Sequence, residues 1–251
     1  VIPSEVERLR RDMTETSFSR EYLCDFNASA EDQLISLSDA NAAANREYAD
    51  KDFMDAPKIV GVDPARFGDD RSVIIRRQGL KASDIVVFRG LDNMQLAARV
   101  AMIYDLWEPD AVFIDSGGGA GVLDRLRQLD YDPIEVPFGG KAILEQQFVN
   151  RRTEMWWNMK EWIENGGWIP SDPMLRQELS TPTYWFDAQG RKMLESKDEI
   201  KKRLQGGASP DIADALALTF AYPVGKRLPL EIRNKLRLGK ASDYDPYSRN
   251  D

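Results

Sequence analysis

KIVGVDPARFGDDRSVIIRR (residues 58–77) and AVFIDSGGG (residues 111–119) each contain a short β-branched apolar run that ends on an aspartate. Runs this short, bounded by turn residues, have the length of buried strands rather than helices. Asp63 and Asp115 therefore project from strand C-termini, the end of an α/β sheet where ligands gather. If the two strands are neighbours, both carboxylates converge on one spot. Two such acids repel and raise each other's pKa unless a cation sits between them. Turn or cap duty explains either acid alone, since Asp is common before Pro and Gly.

Working outward, RSVIIR (71–76) and DIVVF (84–88) read as further strands, and Met94–Trp107 has helical apolar spacing. Gly117–Gly119 lead into a helix through Val122, Leu123, Leu126 and Leu129, followed by a strand at Ile134–Pro137. Asn150–Glu164 is a Trp-rich amphipathic helix stopped by Asn165, Gly166 and Gly167. Thr183–Glu195 is a hairpin turning at Asp187, Ala188, Gln189 and Gly190. Ser209 caps and Pro210 opens a last helix through Asp211–Ala221, which Pro223 ends. Three leading strands suit an antiparallel meander, and the later alternation of strand and helix adds parallel strands. The expected fold is a mixed α/β sheet with helices on both faces, spanning residues 58–224. Residues 1–57 read as an arm with helical character at Glu5–Met13, an extended piece at Phe18–Phe26 and an Ala-rich helix at Ser38–Ala49. Residues 225–251 read as a polar, partly basic tail.

Composition narrows the chemistry. The chain has 251 residues, no histidine and one cysteine, Cys24. That excludes Ser-His-Asp and Cys-His catalysis, imidazole-based zinc hydrolysis and any internal disulfide framework. Carboxylates with hard cations such as magnesium or manganese become the leading option. The net charge of −8 runs against the basic footprint of nucleic-acid binders. The charge is uneven, however: Lys197, Lys201, Lys202 and Arg203 form one basic cluster, and residues 226–240 form another. No window approaches a membrane span, and the N-terminus carries no secretory signal, so cytoplasm is the default. The absence of an initiating Met suggests a piece of something longer. No P-loop motif occurs.

A third acidic element is SPDIADALALTF (209–220), in which Asp211 and Asp214 stand three apart at the opening of a buried helix. Favourable interaction with the helix dipole would account for both without any site. Taken together, GVDPARFGDDRSVIIRR, VFIDSGGGAGVLDRLRQL and ESKDEIKKRLQGGASPDIADALALTFA, in this order and spacing over residues 58–222, resemble the C-terminal nuclease domain of tailed-bacteriophage large terminase subunits. The resemblance implies an RNase H-like fold in which acids bind two Mg²⁺ or Mn²⁺ ions and cut double-stranded DNA during viral genome packaging. It makes Asp63 and Asp115 metal-binding catalytic acids, with the third at Asp211 or Asp214, of which Asp211 is the first choice. Asp69 and Asp70 become candidate outer-shell ligands, although a turn with Gly68 is the better account of each. Lys197, Lys201, Lys202 and Arg203 become candidate phosphate contacts. The tryptophans at 156, 157, 162 and 168 read as packing residues. The resemblance also implies a portal protein and a small terminase subunit as partners, the infected host's cytoplasm as location, and an arm leading from an ATPase. The rival reading is a non-catalytic nucleotide-binding or docking module of a packaging motor, with DSGGGAG (115–121) cradling phosphate. The bunched glycines do not match the dinucleotide-binding register.

Overall fold

A computed structural model describes residues 32–65, 71–204 and 209–227. The expected helix and strand at Glu5–Met13 and Phe18–Phe26 lie outside these residues, as do Asp69, Asp70 and most of the tail. A five-stranded sheet forms the centre. Its strands are β1 (Lys58–Asp63), β2 (Arg71–Gln78), β3 (Lys81–Arg89), β4 (Ala111–Asp115) and β5 (Ile134–Val136), in spatial order β3-β2-β1-β4-β5. β1 pairs antiparallel with β2, and β2 with β3, while β4 and β5 add in parallel. The expected meander and parallel additions are both present.

The Ala-rich helix is α1 (Leu37–Ala44), shorter than expected and capped by Ser36 rather than opening at Ser38. The strand–helix alternation continues with α2 (Asn93–Trp107) and α3 (Ser116–Gln128). The Trp-rich helix is α4 (Arg151–Glu164), with Asn150 as its cap. Two short helices were not read from the sequence: α5 (Pro173–Leu179) and α6 (Lys197–Arg203). The hairpin is β6 (Tyr184–Phe186) and β7 (Lys192–Leu194), a separate two-stranded sheet. The last helix is α7 (Asp211–Leu218); Pro210 takes the cap position and contributes no side-chain bond, so Ser209 is not its cap.

Side chains alternate across the sheet, and the alternation assigns each residue a face. Val60, Val62, Ile74, Val112 and Ile114 pack on one side with Leu96, Val100, Val122 and Leu126 of α2 and α3. Ile59, Val73, Ile75, Ala111 and Phe113 pack on the other with α4 and α7. The odd-numbered positions of β1, β2 and β4 thus face α7, and Asp63, Arg71 and Asp115 share that parity. Leu34, Ile35, Ala40 and Ala43, from the stretch read as an arm, join the α7-side core, and Arg46 donates to the carbonyls of Ile163 and Gly167. Trp156 is wholly buried, and the Trp162 Nε1–H donates to the Gly79 carbonyl.

Every residue of α7 is buried, as expected for a helix apolar nearly all round. β2 fastens both of its ends. At the C-terminal end, Arg77 donates to the Thr219 carbonyl and hydroxyl at 2.8 Å each, where a cation also meets the negative pole of the helix. Burial lowers the Arg77 guanidinium to about 10. The approach between α7 and β1 is close: a Cβ at Gly61 would run into the backbone oxygen of Ala215 and come within 3.2 Å of Thr219 Cγ2. Backbone atoms cannot swing aside as a side chain can, so overpacking here falls at the costly end of its range. Gly61→Ala should destabilise the fold by about 3 kcal/mol, measured by urea unfolding; an unchanged midpoint would show that α7 can lift off the sheet freely.

Candidate functional site

β1 and β4 are adjacent and in register, with Val62 opposite Ile114, so Asp63 and Asp115 leave the sheet side by side. Shared parity turns both toward α7, and Asp211 stands at the start of that helix. The three acids line one cleft of about 410 Å³, together with Arg71, Arg152, Lys197, Lys201 and Ser209. Asp115 also accepts a bond from the Gly117 N–H at 3.2 Å, so it is both a helix cap and a cleft acid. The glycines after it belong to α3. A Cβ at Gly119 would press on Ile114 and Pro64, so close helix–strand packing accounts for that residue without a phosphate cradle.

Asp211 and Asp214 have different surroundings. Asp214 has no exposed surface and does not line the cleft. Its Oδ1 accepts from Arg152 Nε at 2.8 Å and from Trp156 Nε1 at 2.7 Å. Burial alone would raise its carboxyl; Arg152, Lys197 and the Trp156 bond outweigh that and hold it below the usual range. Asp211 lies at the cleft wall and is bound through Oδ2 by Arg71 Nε at 3.1 Å. Its Oδ1 accepts from the Ser209 hydroxyl.

Lys197, at the first turn of α6, occupies the middle of this cluster. Its ammonium lies 2.9 Å from Asp63 Oδ2, 3.2 Å from Asp214 Oδ2 and 3.9 Å from Asp211 Oδ1. Burial by itself would push the ammonium down, but Asp63, Asp214 and Asp211 together hold it above the ordinary lysine range. Asp63 is pushed up to about 7, chiefly by burial; Lys197 opposes this, and Asp214 and Asp211 add to it. Among the described residues no three acids form a ready-made metal cage. A lysine supplies the cation that draws the carboxylates together. An all-oxygen set of carboxylates that gathers around one positive charge is chemically suited to a hard divalent ion.

The other basic residues are placed differently. Lys201 is at the cleft, and Lys202 is exposed. Arg203 is taken up by Glu195 at 2.7–2.8 Å and by the Thr181 carbonyl. Sequence reading did not find Arg71, Arg152 and Glu178. Arg71 had one usable signal, the strand parity it shares with Val73 and Ile75.

Asp214 and Arg152 form a buried ion pair. Asp214→Ala would leave a buried guanidinium uncompensated and should cost about 3–5 kcal/mol in urea unfolding. An unpaired carboxylate aimed into a negative cleft would behave oppositely, its removal being neutral or stabilising.

No protein-family model matches the chain, and no curated protein matches it in sequence. Solved structures do resemble it. The nuclease domain of the large terminase subunit gp2 of bacterial virus Sf6 superposes with a TM-score of 0.65 at 17% identity, covering 76% of this chain and 99% of that one. A point variant of that domain, solved with manganese, gives 0.63 at 17% identity over 76% of this chain and 100% of its own. The large terminase nuclease of thermophilic phage G20c, with bound magnesium, gives 0.51 at 19% identity over 66% of this chain and 82% of its own. The chain thus has the RNase H-like fold found in the nuclease domains of phage large terminase subunits.

Proposed function

We propose that this chain is a terminase nuclease domain, a metal-dependent endonuclease that cuts double-stranded DNA during viral genome packaging. The observation that carries this reading is the convergence of Asp63 and Asp115, from adjacent parallel strand ends, on a cleft walled by Asp211. The likeness to nuclease domains solved with manganese and with magnesium supports it.

In this reading Asp63, Asp115 and Asp211 hold two Mg²⁺ or Mn²⁺ ions. When bound, such ions would lower the pKa of a water for attack on the scissile phosphate and neutralise the leaving oxygen. Asp214 supports the site from behind by holding Arg152 and Lys197 in place. Lys201, at the cleft wall, would meet a backbone phosphate, and the exposed Lys202 would extend that charge outward; both would position DNA without reading its sequence. No other side chain has to supply acid or base, in keeping with a sequence that contains no histidine. The same reading implies a portal protein and a small terminase subunit as partners, and work in the cytoplasm of an infected bacterium. No helix among the described residues is long and apolar enough to cross a membrane.

Supercoiled plasmid incubated with the protein should be nicked and linearised in Mg²⁺ or Mn²⁺ and left intact in EDTA. Asp63→Ala and Asp115→Ala should each abolish cutting while the circular dichroism spectrum stays unchanged. Full cutting by a clean Asp63→Ala preparation would sink the assignment. Lys197→Ala removes the cation that competes for these carboxylates, so half-maximal binding should come at a lower Mn²⁺ concentration, read by calorimetry. Weaker binding would mean that the lysine helps to hold the ion.

A further inference from the structure

Asp211 is positioned by a buried clamp that comes from two other parts of the chain. Arg71 is the first residue of β2 and is almost wholly buried. Its Nε donates to Asp211 Oδ2 at 3.1 Å, and one terminal nitrogen donates to Glu178 Oε1 and to the Ser209 carbonyl, both at 2.8 Å. Glu178, from α5, uses its other oxygen to accept from the backbone N–H groups of Ile212 at 2.7 Å and Ala213 at 3.1 Å. Those amides belong to the first turn of α7, whose own cap residue, Pro210, provides no side-chain acceptor. A helix start left that way has unsatisfied donors, and Glu178 supplies the missing cap from a distance.

Both oxygens of Asp211 are held. Oδ2 accepts from Arg71 and Oδ1 from the Ser209 hydroxyl, and Oδ1 also lies 3.9 Å from the Lys197 ammonium. Arg71 binds Oδ2 directly and also holds the carbonyl of Ser209, whose hydroxyl binds Oδ1, so one guanidinium sets the rotation that keeps Oδ1 toward Lys197. We propose that Arg71, braced by Glu178, is the positioning residue that orients Asp211 for divalent-cation binding. The proposal rests on the nuclease reading above. Arg71 acts through Asp211 and does not touch the ion. Only a guanidinium offers several donors in one rigid fork, so lysine conserves the charge and loses the geometry. Partners that orient a metal ligand in this way typically change metal affinity by about 10–100-fold when altered.

The test is Mn²⁺ titration of the full chain by calorimetry, alongside thermal unfolding, for wild type, Arg71→Lys, Glu178→Gln, Asp211→Asn and Asp63→Asn. Arg71→Lys should weaken Mn²⁺ binding about tenfold at a melting temperature within a few degrees of wild type. Glu178→Gln keeps an acceptor for the helix amides but loosens Arg71, so it should weaken binding in the same direction by less. It also decides the matter if Arg71→Lys does not fold. Wild-type Mn²⁺ affinity in a folded Arg71→Lys, or in Glu178→Gln, would overturn the proposal. If Asp211→Asn binds as wild type while Asp63→Asn does not, the clamp idea falls and the nuclease reading stands. A wild-type chain that binds no Mn²⁺ overturns both.

Discussion

Charge compensation among buried carboxylates governs one end of this sheet. Asp63, Asp115, Asp211 and Asp214 cluster there, and none is more than 8% exposed. Carboxylates packed this densely cannot all ionise without nearby cations, because the interior screens their repulsion far less than water does. Lys197 from α6, Arg71 from β2 and Arg152 from α4 provide those cations. Each cation brings its own element to the end of the sheet, so the electrostatics that make the acids tolerable also assemble the walls around them. The compensation is incomplete: burial still pushes the carboxyls of Asp63 and Glu178 up to about 7. A divalent ion at the cleft would favour the charged form of Asp63.

The acids differ in depth and in the partners they bind. Asp214 has all its bonding capacity turned inward, onto an arginine, an indole N–H and the lysine. Asp211, one turn earlier on the same helix, keeps one edge of its carboxylate at the cleft wall. Sequence spacing places both on neighbouring positions of one helical face, and it carries no information about which of the two will meet Arg152. That depends on α4, contributed by a stretch about sixty residues away.

What was legible in the sequence follows this logic. Alternation and β-branching marked β1, β2, β3 and β4, and with them the strand ends that carry Asp63 and Asp115. The turn Asp187–Gly190 marked the hairpin. Period and length could not mark α5 and α6, each only seven residues long. Nor could they show that Lys197, read as a candidate phosphate contact, lies among the acids. Helical packing of residues 37–44 against the core was equally hidden, because alanine pairs with any apolar neighbour. Long-range ion pairs between buried arginines and acids leave no periodic trace.

The alternation along β1 has a further consequence for how this end of the sheet can change. Facing is a binary property of a strand, so the route to a wrong site is a jump and not a drift. One residue inserted between Ile59 and Asp63 would turn Asp63 toward α2 and α3, into aliphatic side chains that offer a carboxylate nothing. Two inserted residues would return it to the correct face but carry it about 7 Å along the strand, beyond the reach of Lys197. The length of β1 is therefore as much a part of the site as the identity of the acid at its end.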